Sequence, residues 1–489
     1  MWIPSLAKRF TLSALLVLVP IALSAYTHLW NPTGFPNLFY DEGVYMRRTM
    51  HVMEGLGPQE AYYYDHPFFG QIFLAGMLKA IGYPDSLNPS TDLDSIKSLY
   101  AAPRILMGML AIADTFLIYK ISQRLYGRNV AMLTAILFAV MPSTWFTRMI
   151  LLDSMLLPFL LLSILLAIYS KNNYIMILLS GISLGLAIFT KVPAFTMIPL
   201  VSFLVYSNNK NLKTLCIWLI PVILIPLMWP IQSLGAGQFD SWLHGVLWQA
   251  SRENAGFPWI TAILALMDPL LFAMGLAGIA YSFKRKDYMI ILWSVPFIVF
   301  LAAIGHSNYF YWIPVLPAFS IAAAKLVFDV LARIVNHTTR RMITVAAISS
   351  IGAFGLTSTM LIISTDVTSA QFESAAYVAG YLQESHDTTL ISNPVYSWIF
   401  NYVYDKDHVF SDYRDLLYTP IPTDRVLLID DPRFKLDLAK DKEQLMLYDE
   451  THTIATFKGN VGDIDWRKYP YASMMENYEG HQVEIRISN

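Results

Sequence analysis

The side chains best suited to chemistry stand in two short motifs near the start of the chain. Asp41 and Glu42 lie in FYDEGVY, and Tyr64, Asp65 and His66 lie in YYYDHPFFGQ. An aromatic cluster of this kind suits a sugar or the apolar part of a lipid. The two carboxylates of the first motif could act on a substrate, but they also suit the positive N-terminal end of a helix. His66 could bind a metal, orient an acceptor or cap a turn.

Isolated charges at the ends of apolar segments form a second group of candidates. Arg104 opens one segment, where it could bind a lipid phosphate or extend toward lipid headgroups. Lys191 stands between two apolar segments, and it is a second candidate phosphate contact because an unpaired Lys there is costly. Arg148 and Asp153 are five residues apart and could form an ion pair that fixes a turn.

The elements that must position these residues are membrane-spanning helices. The chain has 489 residues, of which 55% are apolar and 14% are charged, and its mean hydropathy is +0.45. An ordinary soluble domain is about 25% charged. This composition excludes a disordered, collagenous or nucleic-acid-binding chain and predicts a polytopic α-helical membrane protein. The single cysteine, Cys216, permits neither an intrachain disulfide nor a thiolate metal site.

Apolar runs approaching or exceeding roughly 20 residues predict about eleven transmembrane helices. They lie near 10–29, 104–122, 129–147, 152–170, 174–190, 192–206, 214–230, 261–283, 288–304, 309–328 and 342–364. Lys and Arg fall in alternate short loops, which predicts a cytoplasmic N-terminus and an extracytoplasmic C-terminus. The first span resembles a signal peptide, but the spans that follow favour an uncleaved anchor. The loops 30–103 and 231–260 are then extracytoplasmic.

The charges divide the chain into a hydrophobic body and an acidic tail. Residues 366–489 carry 21 acidic and 11 basic side chains, whereas residues 1–365 carry 15 and 23. We expect a transmembrane core over 1–365, whose loop 30–103 contains an amphipathic stretch at 41–55 and an interfacial helix at 68–81, and a soluble extracytoplasmic α/β domain over 366–489. The tail patterns predict helices at 375–384 and 434–445, strands at 389–392, 425–429, 447–448 and 453–457, and a helical or extended segment at 396–404.

Several motifs together resemble the C-type glycosyltransferases, and most closely the protein O-mannosyltransferase family (glycosyltransferase family 39) with its prokaryotic relatives. The matching pieces are FYDEGVY, DHPFFGQ, PRILMGML, TRMILLDSMLLPFLLLS, GISLGLAIFTK and YFYWIPVLPAF, in the family's order over about the first 320 residues. The family commonly has His-Pro-Pro followed by Gly-Lys, where this chain has His66-Pro67-Phe68 and Gly70-Gln71. The luminal insert of the eukaryotic enzymes is absent, and the acidic tail lies outside the shared core.

The resemblance implies an inverting glycosyltransferase that uses a polyprenyl- or dolichyl-phosphate sugar, with mannose or another hexose as the family default. Asp41 is then the general base that takes the proton of an acceptor hydroxyl outside the cytoplasm. Glu42, Tyr64, Asp65 and His66 are then contacts to the acceptor or substrate. A protein Ser/Thr is the favoured acceptor, and a lipid or a cell-wall glycan is the alternative.

The same resemblance assigns the donor phosphate to cations. Arg104, Lys191 and Arg148 are the expected phosphate contacts, because a fixed positive charge stabilises the charge that develops on the leaving phosphate. Asp153 is expected to be structural.

The sequence leaves a divalent metal and two other function classes as alternatives. No cofactor is implied with certainty beyond the lipid-phosphate sugar as co-substrate, although Asp41, Glu42 and His66 have the ligand types of a divalent-metal site. The absence of a P-loop leaves nucleotide-driven chemistry unsupported. A lipid-linked sugar transporter would need ionisable groups near mid-membrane, where Asp114 stands alone. A receptor or scaffold that works through its tail is a further class. The expected partners are membrane lipids, the donor and the acceptor, with no nucleic acid.

Overall fold

The structure, a computed structural model, describes residues 4–60, 63–252, 257–304, 308–385, 387–417, 419–434, 449–459 and 481–488. Helices occupy most of the described residues before 364. They are α1 (Pro4–Leu29), α2 (Tyr40–Met53), α3 (Phe69–Ala80), α4 (Leu93–Tyr126), α5 (Arg128–Val140), α6 (Leu152–Ile168), α7 (Tyr174–Thr190), α8 (Ile198–Asn209), α9 (Leu212–Leu224), α10 (Met228–Gly235), α11 (Phe239–Ser251), α12 (Phe257–Met267), α13 (Pro269–Arg285), α14 (Tyr288–Ala303), α15 (Leu316–Leu331) and α16 (His337–Ile363).

Several of these helices are suited to a membrane. Within the described residues, four stretches are long and apolar enough to cross one: Leu93–Tyr126, Leu212–Gly235, Tyr309–Leu331 and His337–Ile363. The pair Arg128–Val140 and Pro142–Arg148, bent by 68°, is a fifth candidate. Shorter apolar helices, among them α6, α7 and α14, pack around these stretches. The chain is therefore an integral membrane protein, and each predicted span coincides with one helix or with consecutive helices. The number that cross a membrane, and their orientation, stay predictions.

The predicted span 261–283 is broken into two helices by its own sequence. Asp268 accepts a hydrogen bond from the backbone N–H of Leu271 at 3.0 Å, which caps the start of α13. Pro269 then occupies the first position of α13, where its missing N–H costs nothing. The same carboxylate also accepts from the Ser143 backbone at 3.1 Å and from its hydroxyl at 2.8 Å. Asp268 therefore ties the break in this span to the break after α5.

Three 3₁₀ segments replace α-helical turns beside the candidate site. They cover Pro142–Arg148, Val192–Met197 and Tyr309–Val315, and each contains a proline in its first half or near its end. The first and third segments contact each other, and the second packs against the end of α7. Each 3₁₀ segment adjoins the end of an apolar helix. Polar residues such as Arg148 and Lys191 therefore lie at helix ends and not in the middle of an apolar helix.

The described part of the tail contains a mixed five-stranded sheet. Its elements are α17 (Ser369–Glu384), β1 (Thr389–Ile391), α18 (Pro394–Trp398), a π-helical turn (Ile399–Val403), β2 (Val409–Phe410), β3 (Val426–Asp430), β4 (Thr451–Lys458) and β5 (Gln482–Ser488). The strand order is β2-β1-β3-β5-β4, with β1 parallel to β2 and β3, and β5 antiparallel to β3 and β4. All five residues of β3 are buried, as expected for a central strand.

The tail packs directly on the body. Tyr100 of α4 donates its hydroxyl to the Val395 carbonyl at 2.6 Å and accepts a hydrogen bond from the Trp398 indole at 3.0 Å. A Cβ at Gly43 of α2 would collide with the backbone of Pro394 and Val395. Because α18 approaches α2 backbone to backbone, the position of the tail is coupled to the helix that carries Asp41.

Most tail elements that the sequence predicts are present where the structure describes them. The helix at 375–384, the strands at 389–392, 425–429 and 453–457, and a helical segment over 396–404 correspond to α17, β1, β3, β4 and α18 with its π turn. The helix predicted at 434–445 and the strand at 447–448 lie outside the described residues, apart from Phe434 in a short 3₁₀ turn. Strands β2 and β5 were not predicted. The domain boundary at 365/366 stays a prediction.

Candidate functional site

Helix α2 positions Asp41, and the next residue fixes the helix start. Glu42 is fully buried, and its Oε2 accepts the Phe39 backbone N–H at 3.1 Å, which caps α2. Its Oε2 also binds Arg104 Nη2 at 2.6 Å, and its Oε1 binds Arg104 Nε at 3.0 Å and the Ile150 backbone N–H at 3.0 Å. Successive helical residues are rotated by about 100°. Glu42 therefore holds α2 to the helix bundle while Asp41 lies on a different face.

Asp41 lines a cavity of about 780 Å³ between the body and the tail. The cavity walls come from α2, the loop after residue 62, α11, the segment around residue 310 and the tail. Aromatic rings form much of the lining, and they belong to Tyr40, Tyr45, Tyr63, Tyr64, Trp248, Phe310 and Tyr311. Charged side chains also line it, and they belong to Asp41, Arg47, Arg48, Asp65, Arg252 and Arg414.

The Asp41 carboxylate has no hydrogen bond or ion pair from any residue that the structure describes. Burial raises its pKa from 3.8 to about 6. The charge of Lys191 opposes this rise, whereas Asp65 and Asp153 add to it and Arg252 opposes it weakly. A carboxyl group with such a pKa is mostly ionised at pH 7 yet is a stronger base than an ordinary Asp. Asp41 therefore has the availability and the basicity of a general base.

Lys191 and Asp153 form a buried ion pair near Asp41. Lys191 Nζ lies 2.6 Å from Asp153 Oδ2 and 3.9 Å from the centre of the Tyr311 ring. Lys191 caps the end of α7 and Asp153 lies in the first turn of α6, so the pair joins the two helix ends. Its positive end lies beside the cavity wall, because Tyr311 lines that wall.

The ion pair that the sequence suggested between Arg148 and Asp153 is not formed. Asp153 is taken by Lys191, and Arg148 instead donates to the backbone carbonyls of Thr27, at 3.4 Å, and Trp30. Arg148 is buried and does not line the cavity. Its contacts hold the 3₁₀ segment after α5 against the end of α1.

Arg104 is also engaged away from the cavity. Besides its two bonds to Glu42, it donates to the carbonyls of Pro32 at 3.0 Å, Pro36 at 2.8 Å and Asn37 at 3.0 Å. Its side chain is 1% exposed, and it does not line the cavity. These contacts favour a structural role over the predicted phosphate contact, which stays a prediction. Both oxygens of the Glu42 carboxylate accept hydrogen bonds in the same network, and Glu42 does not line the cavity. A structural role is therefore also favoured for Glu42, and its predicted substrate contact stays a prediction.

Three of the predicted acceptor contacts do line the cavity. The Asp65 carboxylate lies 2.7 Å from Arg48 Nη2, and this charge holds the pKa of Asp65 below its usual value although burial alone would raise it. Burial lowers the pKa of His66 to about 3, so its imidazole is neutral at pH 7. Within the described part of the chain no residue hydrogen-bonds this ring. Tyr64 donates its hydroxyl to Gln238 Oε1 at 2.6 Å, which joins the loop to α11.

Sequence reasoning missed four arginines that line the cavity. Arg47 is paired with Glu60 at 2.8 Å, and Arg48 with Asp65. Arg414 comes from the tail and is paired with its neighbour Asp412 at 2.8 Å.

Arg252, at the end of α11, is the exception among them. It donates to Gln249 at 3.3 Å and stacks over Trp248, and it has no carboxylate partner among the described residues. Of the four arginines, Arg47 and Arg48 could have been noticed in the sequence, because two adjacent arginines follow the FYDEGVY motif. The roles of Arg252 and Arg414 depend on tertiary contacts.

The structure does not bring together the three residues considered for a metal. Glu42 is bonded to Arg104, whereas Asp41 and His66 line the cavity. The described residues contain no group of three His, Cys, Asp or Glu side chains close enough to hold a metal ion.

Part of the chain matches a known protein family. Residues 23–229, less than half of the chain, match the profile of the dolichyl-phosphate-mannose-protein mannosyltransferase family. That range contains every candidate residue that the sequence predicted, whereas Arg252, Tyr311 and Arg414 lie beyond it. No curated protein sequence matches the chain.

Two solved structures share the fold at low sequence identity. ArnT from Cupriavidus metallidurans, bound to undecaprenyl phosphate, has a TM-score of 0.56 and 12% identity, and the match covers 97% of each chain. The archaeal oligosaccharyltransferase AglB from Archaeoglobus fulgidus, in complex with an inhibitory peptide and a dolichol-phosphate, has a TM-score of 0.57 and 11% identity. That match covers 94% of this chain and 75% of AglB.

The fold and the family match define a class of protein: the chain has the architecture of a C-type membrane glycosyltransferase. Within that class, the resemblance to the protein O-mannosyltransferase family, inferred from the motifs, is confirmed for residues 23–229.

Proposed function

We propose that this protein transfers a sugar from a polyprenyl-phosphate donor to an acceptor hydroxyl, with inversion at the anomeric carbon, on the extracytoplasmic side of a membrane. The observation that carries the proposal is the Asp41 carboxylate, which lines a large cavity, has a pKa raised to about 6 and lacks a protein partner among the described residues. A hydroxyl is a weak nucleophile, so a carboxylate within hydrogen-bond reach must take its proton. The phosphate leaves already ionised, so one base and one cation are sufficient.

Arg252 is the best candidate for the donor phosphate. It is the lining cation without a carboxylate partner among the described residues, so a phosphate would supply the missing negative charge. It ends α11, whose Leu243, Leu247 and Trp248 side chains are exposed in the manner of a helix that lies at a membrane surface. Lys191 is a second candidate, because its charge already acts on Asp41. A lipid phosphate at this wall would lie near headgroup depth.

The charged residues that line the cavity also indicate which charge the transferred sugar carries. Asp65 is paired with Arg48, so Asp41 is the lining carboxylate left without a cation in the described part of the chain. An aminosugar would need a carboxylate for its ammonium group in addition to the base. A neutral hexose therefore fits the described walls better than a cationic sugar, and His66 can donate and accept hydrogen bonds to its hydroxyls.

A protein Ser/Thr is the favoured acceptor, because the family match covers the part of the chain that carries Asp41 and His66. Transfer to a lipid or a cell-wall glycan is the second candidate. The exposed apolar residues of α11 favour it, since they would place the rim of the cavity within reach of a membrane-bound acceptor.

The test is incubation of membranes that contain the protein with a panel of labelled polyprenyl-phosphate sugars, followed by mass spectrometry of the products. We expect one neutral donor to be consumed, with the sugar recovered on a protein, lipid or glycan hydroxyl, and Asp41→Asn to abolish the transfer. Asp240→Asn is the matched control, because Asp240 is an exposed carboxylate of α11 that does not line the cavity. A parallel incubation with EDTA tests metal dependence. If intact donor instead crosses the membrane without being consumed, the protein is a transporter and the proposal is wrong.

A further inference from the structure

The tail contributes Arg414 to the cavity wall, through the turn at residues 411–415. The Tyr40 hydroxyl donates to Asp412 Oδ2, and Arg47 Nη1 donates to the Ser411 carbonyl at 3.3 Å. Tyr63 donates to Asp415 Oδ1 at 3.3 Å. Tyr40 precedes Asp41 in the chain, so this turn is anchored to the first turn of the helix that carries the proposed base.

Arg414 is the residue that this turn places on the cavity. Its Nε lies 3.1 Å from Asp412 Oδ1 and its Nη2 lies 2.8 Å from Asp412 Oδ2, which fixes the plane of the guanidinium. Nη2 also donates to the Tyr40 hydroxyl. Nη1 has no hydrogen-bond partner among the described residues, and half of the side chain is exposed. Two N–H donors are therefore held in a fixed orientation beside the cavity.

In an inverting reaction, the acceptor and the leaving phosphate lie on opposite sides of the sugar. The acceptor hydroxyl must approach the anomeric carbon from the face opposite the leaving phosphate. The phosphate is tethered to a lipid, and the cavity wall includes Tyr311, whose ring contacts Lys191 and which belongs to the membrane-type stretch Tyr309–Leu331. The acceptor then approaches along another part of the cavity wall, and we take this to be the part that Arg414 of the tail lines.

We propose that Arg414 is an acceptor-binding residue, which donates its Nη1 hydrogens to a backbone carbonyl of a polypeptide acceptor beside the reacting hydroxyl. This inference rests on the proposed transfer reaction. A carbonyl fits better than an anion, because Asp412 already neutralises the guanidinium and the tail as a whole is acidic. The wall also belongs to the soluble tail, which an extended polypeptide can reach from water. The tail is thus part of the site that selects the acceptor.

The experiment compares Arg414→Gln with the wild-type chain in three reactions: hydrolysis of the donor by water, transfer to a small alcohol such as propanol, and transfer to blocked Ser/Thr peptides of increasing length. Losing hydrogen bonds from a charged donor should raise the KM for long peptides by about ten- to a hundredfold. The change for hydrolysis or propanol should be at least tenfold smaller. Arg414→Lys should recover part of the peptide effect, because it keeps the charge without the fixed fork.

Arg425→Gln is the matched control, since Arg425 is an exposed tail arginine that does not line the cavity. Equal losses in all three reactions would show that Arg414 only supports the fold, and an unchanged peptide KM would also overturn the assignment. Efficient transfer to a glycolipid with no transfer to any peptide would also overturn the assignment, because the acceptor would then not be a polypeptide. If the wild-type chain consumes no donor at all, the proposed function itself fails, and that result is distinguishable from the others.

Discussion

Replacing Asp41 by Asn should destroy activity and at the same time stabilise the folded protein. The amide keeps the shape of the carboxylate but cannot accept a proton, and general-base catalysis is typically worth about 10²–10⁴-fold. The stability effect follows from the pKa, which folding raises from 3.8 to about 6. Because one pKa unit corresponds to 1.36 kcal/mol, ionised Asp41 weakens folding by up to ~3 kcal/mol. This penalty is complete above pH about 6 and absent below pH about 4.

The assay combines turnover with thermal unfolding of purified protein in detergent at several pH values. Wild-type activity should fall as the pH drops through about 6, because Asp41 is then protonated. Asp41→Asn should melt at a higher temperature than wild type at pH 7.5, and the two melting temperatures should converge near pH 4. Asp240→Asn should show neither effect. Near-normal turnover in Asp41→Asn would refute the base assignment, and a gap in melting temperature that does not change with pH would refute the electrostatic reasoning.

Four further predictions follow from the same contacts. Arg104→Ala should lower the free energy of unfolding by roughly 3–5 kcal/mol, because it breaks a buried ion pair, and should therefore lower the yield of folded protein. The molecules that do fold should keep the wild-type donor KM, and a raised donor KM would support the phosphate role instead. Lys191→Met should move the acid limb of the pH–activity profile upward, because the Lys191 charge lowers the pKa of Asp41; an unmoved limb would show that the two do not interact. Gly43→Ala should displace the tail and make protease cut it faster than in the wild-type chain, whereas Gly76→Ala, which has open space around its Cβ position, should leave the cleavage rate unchanged. Protease added outside intact cells should cut the tail beyond residue 366, and cutting only after permeabilisation would reverse the predicted orientation.

The positions of the helices could be predicted because apolar runs report directly on burial or contact with lipid. Other local signals do not appear as apolar runs. The break at Asp268 had a local signal, an Asp followed by Pro, that a count of apolar residues passes over. Strand β5 had a signal too, since Val483, Ile485 and Ile487 alternate with polar residues and face the interior. Strand β2 has two residues and no pattern from which it could be recognised.

The candidate site was predictable only where its residues share one loop. Asp41, Tyr64, Asp65 and His66 line one cavity, as their two motifs suggested. The partners of the charges were not predictable, because a helix rotated by one residue turns each side chain by about 100°. The sequence shows that Arg104 is a cation at a helix start, but not that Glu42, 62 positions earlier, lies against it.

The pairing of charges distinguishes the charged residues of this cavity more sharply than residue type does. Of the six charged side chains that line the cavity, Arg47, Arg48, Asp65 and Arg414 have an oppositely charged partner within 3 Å. Among the described residues, Asp41 and Arg252 have none. An unpaired buried charge costs stability, and the raised pKa of Asp41 is the direct expression of that cost. Under the proposed function, the acceptor would bring a hydroxyl to Asp41 and the donor would bring a phosphate to Arg252, so the two substrates together would satisfy both groups.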